Sequence, residues 1–172
     1  MNIVLIGYRG TGKSSVAKIL AHRLGRRLVS TDAEVVAKSG RSIPDIVQAH
    51  GWEHFRGLES EICRQVGEED GLVIDTGGGA ILREENVKVL KKNGIVFWLT
   101  AAVPTIVARI ASDTNRPSLT GGKSFVDEVS DVLIERTPRY RAAADHTLAT
   151  DSELPTDIAA RILALLPRST AG

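Results

Sequence analysis

Ile3, Val4, Leu5 and Ile6 make an unbroken apolar run that stops at Gly7. A run without polar alternation marks a parallel strand covered on both faces, so it predicts a first, central strand. Val16, Ile19, Leu20 and Leu24 then recur at helical spacing up to Gly25, which predicts a helix closed by a glycine cap. Leu28 and Val29 predict a short second strand running into Ser30, Thr31 and Asp32. Two further buried strands are predicted over 72–74, ending at Asp75, and over 95–99, ending at Thr100. Helical stretches over 84–92 and 103–111 lie between and after them. Strand and helix alternating at this pace predict an α/β fold of parallel βαβ units with right-handed crossovers. Ligands then belong at the carboxyl ends of the strands.

Two stretches depart from the alternation. Residues 33–66 read as mostly helical, an oversized crossover between two strands, and residues 113–124, DTNRPSLTGGKS, are polar with Pro117, Gly121 and Gly122, as expected of a mobile lid loop. No repeat or low-complexity segment is visible.

The directly following Gly7-Tyr8-Arg9-Gly10-Thr11-Gly12-Lys13-Ser14 satisfies GxxxxGK[ST], with a strand before it and a helix after it. The glycines let successive backbone N–H groups curl around a phosphate, and the helix adds its N-terminal partial charge. Lys13 then reaches the outer phosphates and the Ser14 hydroxyl is placed to ligate Mg²⁺. A guanine switch would add an NKxD-type base reader and a DxxG loop; here Asp75 leads instead into Thr76-Gly77-Gly78-Gly79. Three glycines after a buried strand can bring backbone close to a ligand where a side chain would block it.

Composition narrows the partners. Across 172 residues, 22 Lys plus Arg balance 21 Asp plus Glu, so no global field exists for nucleic acid or an anionic membrane, and an anion site must be local. The single cysteine, Cys63, rules out an internal disulfide and suits a reducing compartment. The apolar run at 3–6 is too short to span a membrane. The expectation is one cytoplasmic domain, a monomer, without nucleic-acid or membrane partners. His22, His50, His54 and His146 show no metal-ligand spacing.

Five features in order resemble the shikimate kinases, within the nucleoside-monophosphate-kinase-like P-loop proteins: GYRGTGKS at 7–14, STD at 30–32, FRGLE at 55–59, TGGG at 76–79, and RP at 116–117 followed by ERTPRY at 135–140. The resemblance covers nearly the whole chain. It implies a three-layer fold with a parallel five-stranded sheet flanked by helices, a helical substrate-binding insertion at about 33–60 and a lid at about 112–124. It implies transfer of the γ-phosphoryl group of ATP to the 3-hydroxyl of shikimate, with Mg²⁺. By resemblance, ATP is held by Gly10, Thr11, Gly12, Lys13, Ser14 and Ser15, with Arg109 and Pro155 about the adenine and Arg116 of the lid over the transferring phosphate. Lys13, Asp32 and Arg116 are the implied catalytic residues, Asp32 orienting the attacking hydroxyl. Asp32, Arg56, Gly77, Gly78, Gly79 and Arg136 are the implied shikimate site, the two arginines clamping the carboxylate. Glu59, three residues after Arg56 on one helical face, is placed to hold that arginine.

One feature departs from the family's pattern. The acidic pair usual at this point is Ser30-Thr31-Asp32 here, so the first acid, which helps hold Mg²⁺ through water, is missing. Asp75, ending its strand before the glycine turn, is the expected replacement. The rival readings are another small-molecule kinase of this fold, acting on gluconate or a nucleoside monophosphate, and a silent nucleotide-binding protein.

Overall fold

The computed structural model describes residues 1–111 and 124–167. Five parallel strands stand in the order β2-β3-β1-β4-β5: β1 Asn2–Ile6, β2 Leu28–Ser30, β3 Val73–Asp75, β4 Gly94–Thr100 and β5 His146–Ala149. β1 is central, and its apolar run serves two cores. Val4 and Ile6 face one cluster with Ile74, Val96 and Trp98, while Ile3 and Leu5 face another with Val73, Phe97 and Leu99. That two-sided burial is why no polar residue interrupts the run.

The helices form the outer layers. α1 (Lys13–Leu24) and α7 (Pro155–Leu165) cover the face carrying Ile3 and Leu5 through Val16, Leu20, Ile158 and Ile162. α3 (Ile43–Glu68) and α4 (Glu84–Lys92) contribute Phe55, Ile62, Val66 and Leu90 to the other face. α2 (Thr31–Ser39) precedes α3 and adds Val35 to that same core. The predicted oversized crossover is therefore α2 plus α3, and Gly51, at φ 83° and ψ 170°, kinks α3. α5 (Val103–Ile110) and α6 (Phe125–Ala143) enclose a third cluster with Tyr8 of the glycine loop. Among the described residues no helix is long and apolar enough to cross a membrane.

Two local readings change. Asp32 does not end β2; it lies in the first turn of α2, whose N-cap is Ser30, with Ser30 Oγ accepting from Ala33 N at 3.3 Å. Serine is a strong cap, so the helix starts as soon as the strand stops. The expected lid, with Arg116, falls almost wholly on residues 112–123, outside the described residues; Ser124 is the N-cap of α6.

Candidate active site

The ends of β1, β2 and β3 converge on a cleft of about 400 Å³, whose lining includes Gly12, Lys13, Ser14, Asp32, Asp75 and Arg109. Its floor is the loop between β1 and α1. Gly10 and Gly12 adopt φ of 81° and 93°, conformations that L side chains rarely take, which lets the backbone curl. Gly12 caps α1 with no side-chain hydrogen bond and no acid sits in the first turn. The first N–H groups of α1 have no intrahelical acceptor and, with the helix dipole, form an anion site.

Lys13 is 8% exposed, and its Nζ donates to the carbonyls of Gly7 at 2.8 Å and Tyr8 at 3.2 Å, which holds the ammonium over the loop. Ser14 and Ser15 are exposed on the cleft wall. Ser14 Oγ donates to Asp75 Oδ2 at 2.6 Å. A hydroxyl and a carboxylate are hard oxygen donors that fit Mg²⁺. Among the described residues no three His, Cys, Asp or Glu side chains gather into a metal cage.

Thr11 is buried and its Oγ1 donates to Tyr8 O at 2.8 Å. Arg109 Nη1 donates to Gly10 O at 3.1 Å and to Thr150 Oγ1 at 3.1 Å, while Thr150 Oγ1 donates to Thr11 O at 2.8 Å. Thr150, which stands in no recognisable motif, thus ties the end of β5 to the glycine loop. Arg109 is on the cleft wall as expected; Pro155 is exposed at the start of α7 and does not line the cleft.

Beside this cleft, the turn after β3 gathers the remaining expected residues. A Cβ on Gly77 would stand 2.6 Å from Asp32 Oδ1 and 2.5 Å from Glu59 Oε1. One on Gly78 would stand 3.6 Å from Arg136 Nη1, and one on Gly79 would collide with the Arg56 guanidinium. Close approach requires glycine at 77 and 79, whereas a Cβ at 78 would make only ordinary contact. Gly77 N–H is already committed, donating to Thr31 Oγ1 at 2.9 Å, so this glycine contributes room rather than a donor. Tyr140 OH donates to Gly78 O and is also a hydrogen-bonding neighbour of Arg136. Tyr140 was missed as a site residue, although it lies one helical turn after Arg136.

Arg56 is not a solvated surface residue. Its guanidinium lies 5.4 Å from the Trp52 ring centroid and 5.2 Å from that of Phe55, and Nη1 donates to Glu59 Oε2 at 2.8 Å. Burial pushes the Glu59 carboxyl above its ordinary value, while Arg56, Arg136 and Arg83 oppose that shift. One buried carboxylate faces several guanidinium groups. Arg136 itself is only 7% exposed. The local excess of positive charge, in a place poor in water, suits an anionic ligand.

Tyr8 and Arg9 have distinct settings. Tyr8 is 2% exposed between Ile106, Ile110, Val129 and Val132, so it anchors the loop to α5 and α6. Arg9 lines the cleft, with Cζ 5.8 Å from the Phe125 ring centroid.

Sheet order, glycine loop and flanking helix define a P-loop protein with a cationic pocket next to its phosphate site. The family model for shikimate kinase matches residues 9–167. The shikimate kinase of Geobacter metallireducens is 41% identical over 165 residues, covering 96% of this chain and 91% of that protein. Shikimate kinase 2 of Enterobacter sp. is 42% identical over 167 residues, covering 95% and 94%. Among solved structures, the shikimate kinase from Acinetobacter baumannii in complex with shikimate superposes with a TM-score of 0.91 at 36% identity, covering 95% of this chain and 91% of that one. The enzyme from Aquifex aeolicus gives a TM-score of 0.79 at 30% identity, covering 95% and 94%. The chain belongs to the shikimate kinase family.

Proposed function

We propose that this chain transfers the γ-phosphoryl group of ATP to the 3-hydroxyl of shikimate, giving shikimate 3-phosphate and ADP on the way to the aromatic amino acids. The observation that carries the reading is the gathering of Arg56, Glu59 and Arg136 against the Gly77–Gly79 turn, with Asp32 between that turn and the phosphate cleft.

Shikimate carries a carboxylate at one end of its ring and hydroxyls at the other. Arg56 and Arg136 receive the carboxylate. Each charge-assisted hydrogen bond contributes about 1.5–3 kcal/mol, and a planar guanidinium adds orientation. Glu59 fixes Arg56 in one rotamer, so less freedom is lost on binding. Asp32, which lines both regions, accepts a hydrogen bond from the attacking hydroxyl, orients it toward the γ-phosphorus and takes its proton. Phosphoryl transfer through a loose transition state asks for positioning and charge neutralisation more than for a strong base. Lys13 exchanges its loop carbonyls for the outer phosphate oxygens, and the N–H groups of the loop and α1 bind the rest. Ser14 is the residue that would ligate Mg²⁺, whose charge, when bound, offsets that of the β- and γ-oxygens. A cytoplasmic site of action is supported by the lone, unpaired Cys63.

Phosphorus-31 NMR of the product, after incubation with Mg-ATP and shikimate, tests the regiochemistry. One phosphate ester on the 3-hydroxyl, formed one for one with ADP, is expected. An ester on another hydroxyl, or ADP without an ester, would overturn the reading.

A further inference from the structure

Tyr8 carries a polar atom that neither packing nor the phosphate cleft accounts for. Its ring sits among Ile106, Ile110, Val129 and Val132 and is 2% exposed, yet its hydroxyl has no hydrogen-bond partner among the described residues. A buried donor left unpaired costs stability, and an apolar cluster would hold phenylalanine as well. The surroundings of Tyr8 point to the acceptor side. The place where a Cβ on Gly78 would stand is 3.6 Å from Gly7 O, from Arg9 N and from Arg136 Nη1, so the peptide groups on either side of Tyr8 meet the carboxylate clamp there. On α6, Val132, Arg136 and Tyr140 follow one another at single turns on the buried face, and Val132 belongs to the cluster around Tyr8. Tyr140 OH donates to Gly78 O, its oxygen is a hydrogen-bonding neighbour of Arg136, and Tyr8 lies within electrostatic reach of it. A guanidinium can only donate, so Arg136 is the donor in that contact.

We infer that Tyr8 is a positioning residue of the acceptor site: its hydroxyl donates to the Tyr140 oxygen when an acceptor carboxylate draws Arg136 away. The buried oxygen of Tyr140 then keeps a donor. Its own proton stays on Gly78 O, so the glycine turn holds its place while the guanidinium is engaged. Without the Tyr8 hydroxyl, Arg136 leaves behind a buried oxygen with one partner fewer, and the cost shows as weaker acceptor binding. The bond is thus unmade without acceptor and made with it. The inference rests on the reading of Arg136 as the carboxylate's partner.

Tyr8→Phe removes the hydroxyl and keeps the ring. The test is a thermal melt without ligands, set beside shikimate binding measured by calorimetry without nucleotide. Tyr8→Phe should melt above the wild type by about 2–4 °C, since a buried donor without a partner is gone. Its shikimate Kd should rise by about 3–10-fold, the scale of one neutral hydrogen bond. In a Tyr140→Phe background the same change should leave shikimate affinity where it was, because Tyr8 acts through the Tyr140 oxygen. A merely structural tyrosine would lower the melting temperature on substitution and leave the Kd alone. Either result overturns the inference, as does an additive loss in the double variant. A parallel fall in ADP affinity, the mark of a displaced glycine loop, would overturn it too. A wild type that does not bind shikimate overturns the acceptor reading and this inference with it, whereas wild-type binding matched by Tyr8→Phe overturns this inference alone.

Discussion

Glu59 and Arg56, one helical turn apart on α3, form an ion pair in which the carboxylate side chain is wholly buried and the guanidinium is 12% exposed, with 2.8 Å between Oε2 and Nη1. Breaking such a pair from one side strands a buried charge, whereas neutralising the acid in place keeps the shape. Burial raises the Glu59 pKa above its ordinary value of 4.5, so the folded chain holds this proton more tightly than the unfolded chain does. The resulting stabilisation is complete below pH 4.5 and is lost as pH rises through the higher folded value. Glu59→Gln has no such proton. The melting temperature of the wild type minus that of Glu59→Gln should therefore fall as pH rises from 4.5 toward neutrality, measured by scanning calorimetry. A difference independent of pH would mean that Arg56 fully offsets the burial cost.

Gly79 has φ −100°, which alanine tolerates, but the new methyl would run into the Arg56 guanidinium. The guanidinium is the far end of a side chain and will move. Because moving it loosens the buried pair with Glu59, Gly79→Ala should melt below the wild type and lose about 10-fold or more in kcat/KM for shikimate, the scale of one displaced charge-assisted hydrogen bond. Steady-state kinetics beside a thermal melt would decide the matter, and a large loss of stability with an unchanged shikimate KM would refute it.

The fold was legible where burial is two-sided. β1, β3 and β4 carry the apolar runs at 3–6, 72–74 and 95–99, and the first helix is closed at Gly25, as predicted, by a cap in the left-handed conformation. β5 was not legible from its residues. Of His146, Thr147, Leu148 and Ala149, only Leu148 is buried, because an edge strand offers little to the core. α6 was obscured by Pro138, which withholds one backbone donor inside the helix; burial of Val129, Val132, Arg136, Tyr140 and Ala143 carries the helix through it. The glycine loop announced itself through spacing and context. The cationic pocket did not, since Arg56, Arg136 and the glycine turn lie far apart in sequence and meet only in the folded chain. Ser30 looked like a missing charge, and its helix-capping role needed the structure.

Arg136 is expected to read the carboxylate. Arg136→Ala should raise the shikimate KM by roughly 10–100-fold, for the loss of one or two charge-assisted bonds, with the ATP KM nearly unchanged. Arg136→Lys should recover only part, because an ammonium cannot donate in the same planar fork. The preference for shikimate over its neutral methyl ester should shrink in both variants. Equal losses on acid and ester would contradict the clamp.

Cys63 is buried and its thiol is pushed up to about 12 by that burial, with Glu59 adding to the shift. The thiolate is the reactive form. An aromatic disulfide reagent at mildly alkaline pH should label no thiol in the native protein and one thiol in denaturant. Rapid native labelling would show that the core around α3 opens.

Coupled ADP release with Mg-ATP, run side by side with shikimate, gluconate, AMP and no acceptor, tests the central claim most directly. The account predicts turnover that depends on shikimate and is near background in the other three reactions. Faster turnover with gluconate or AMP, or ADP release that ignores the acceptor, would contradict it.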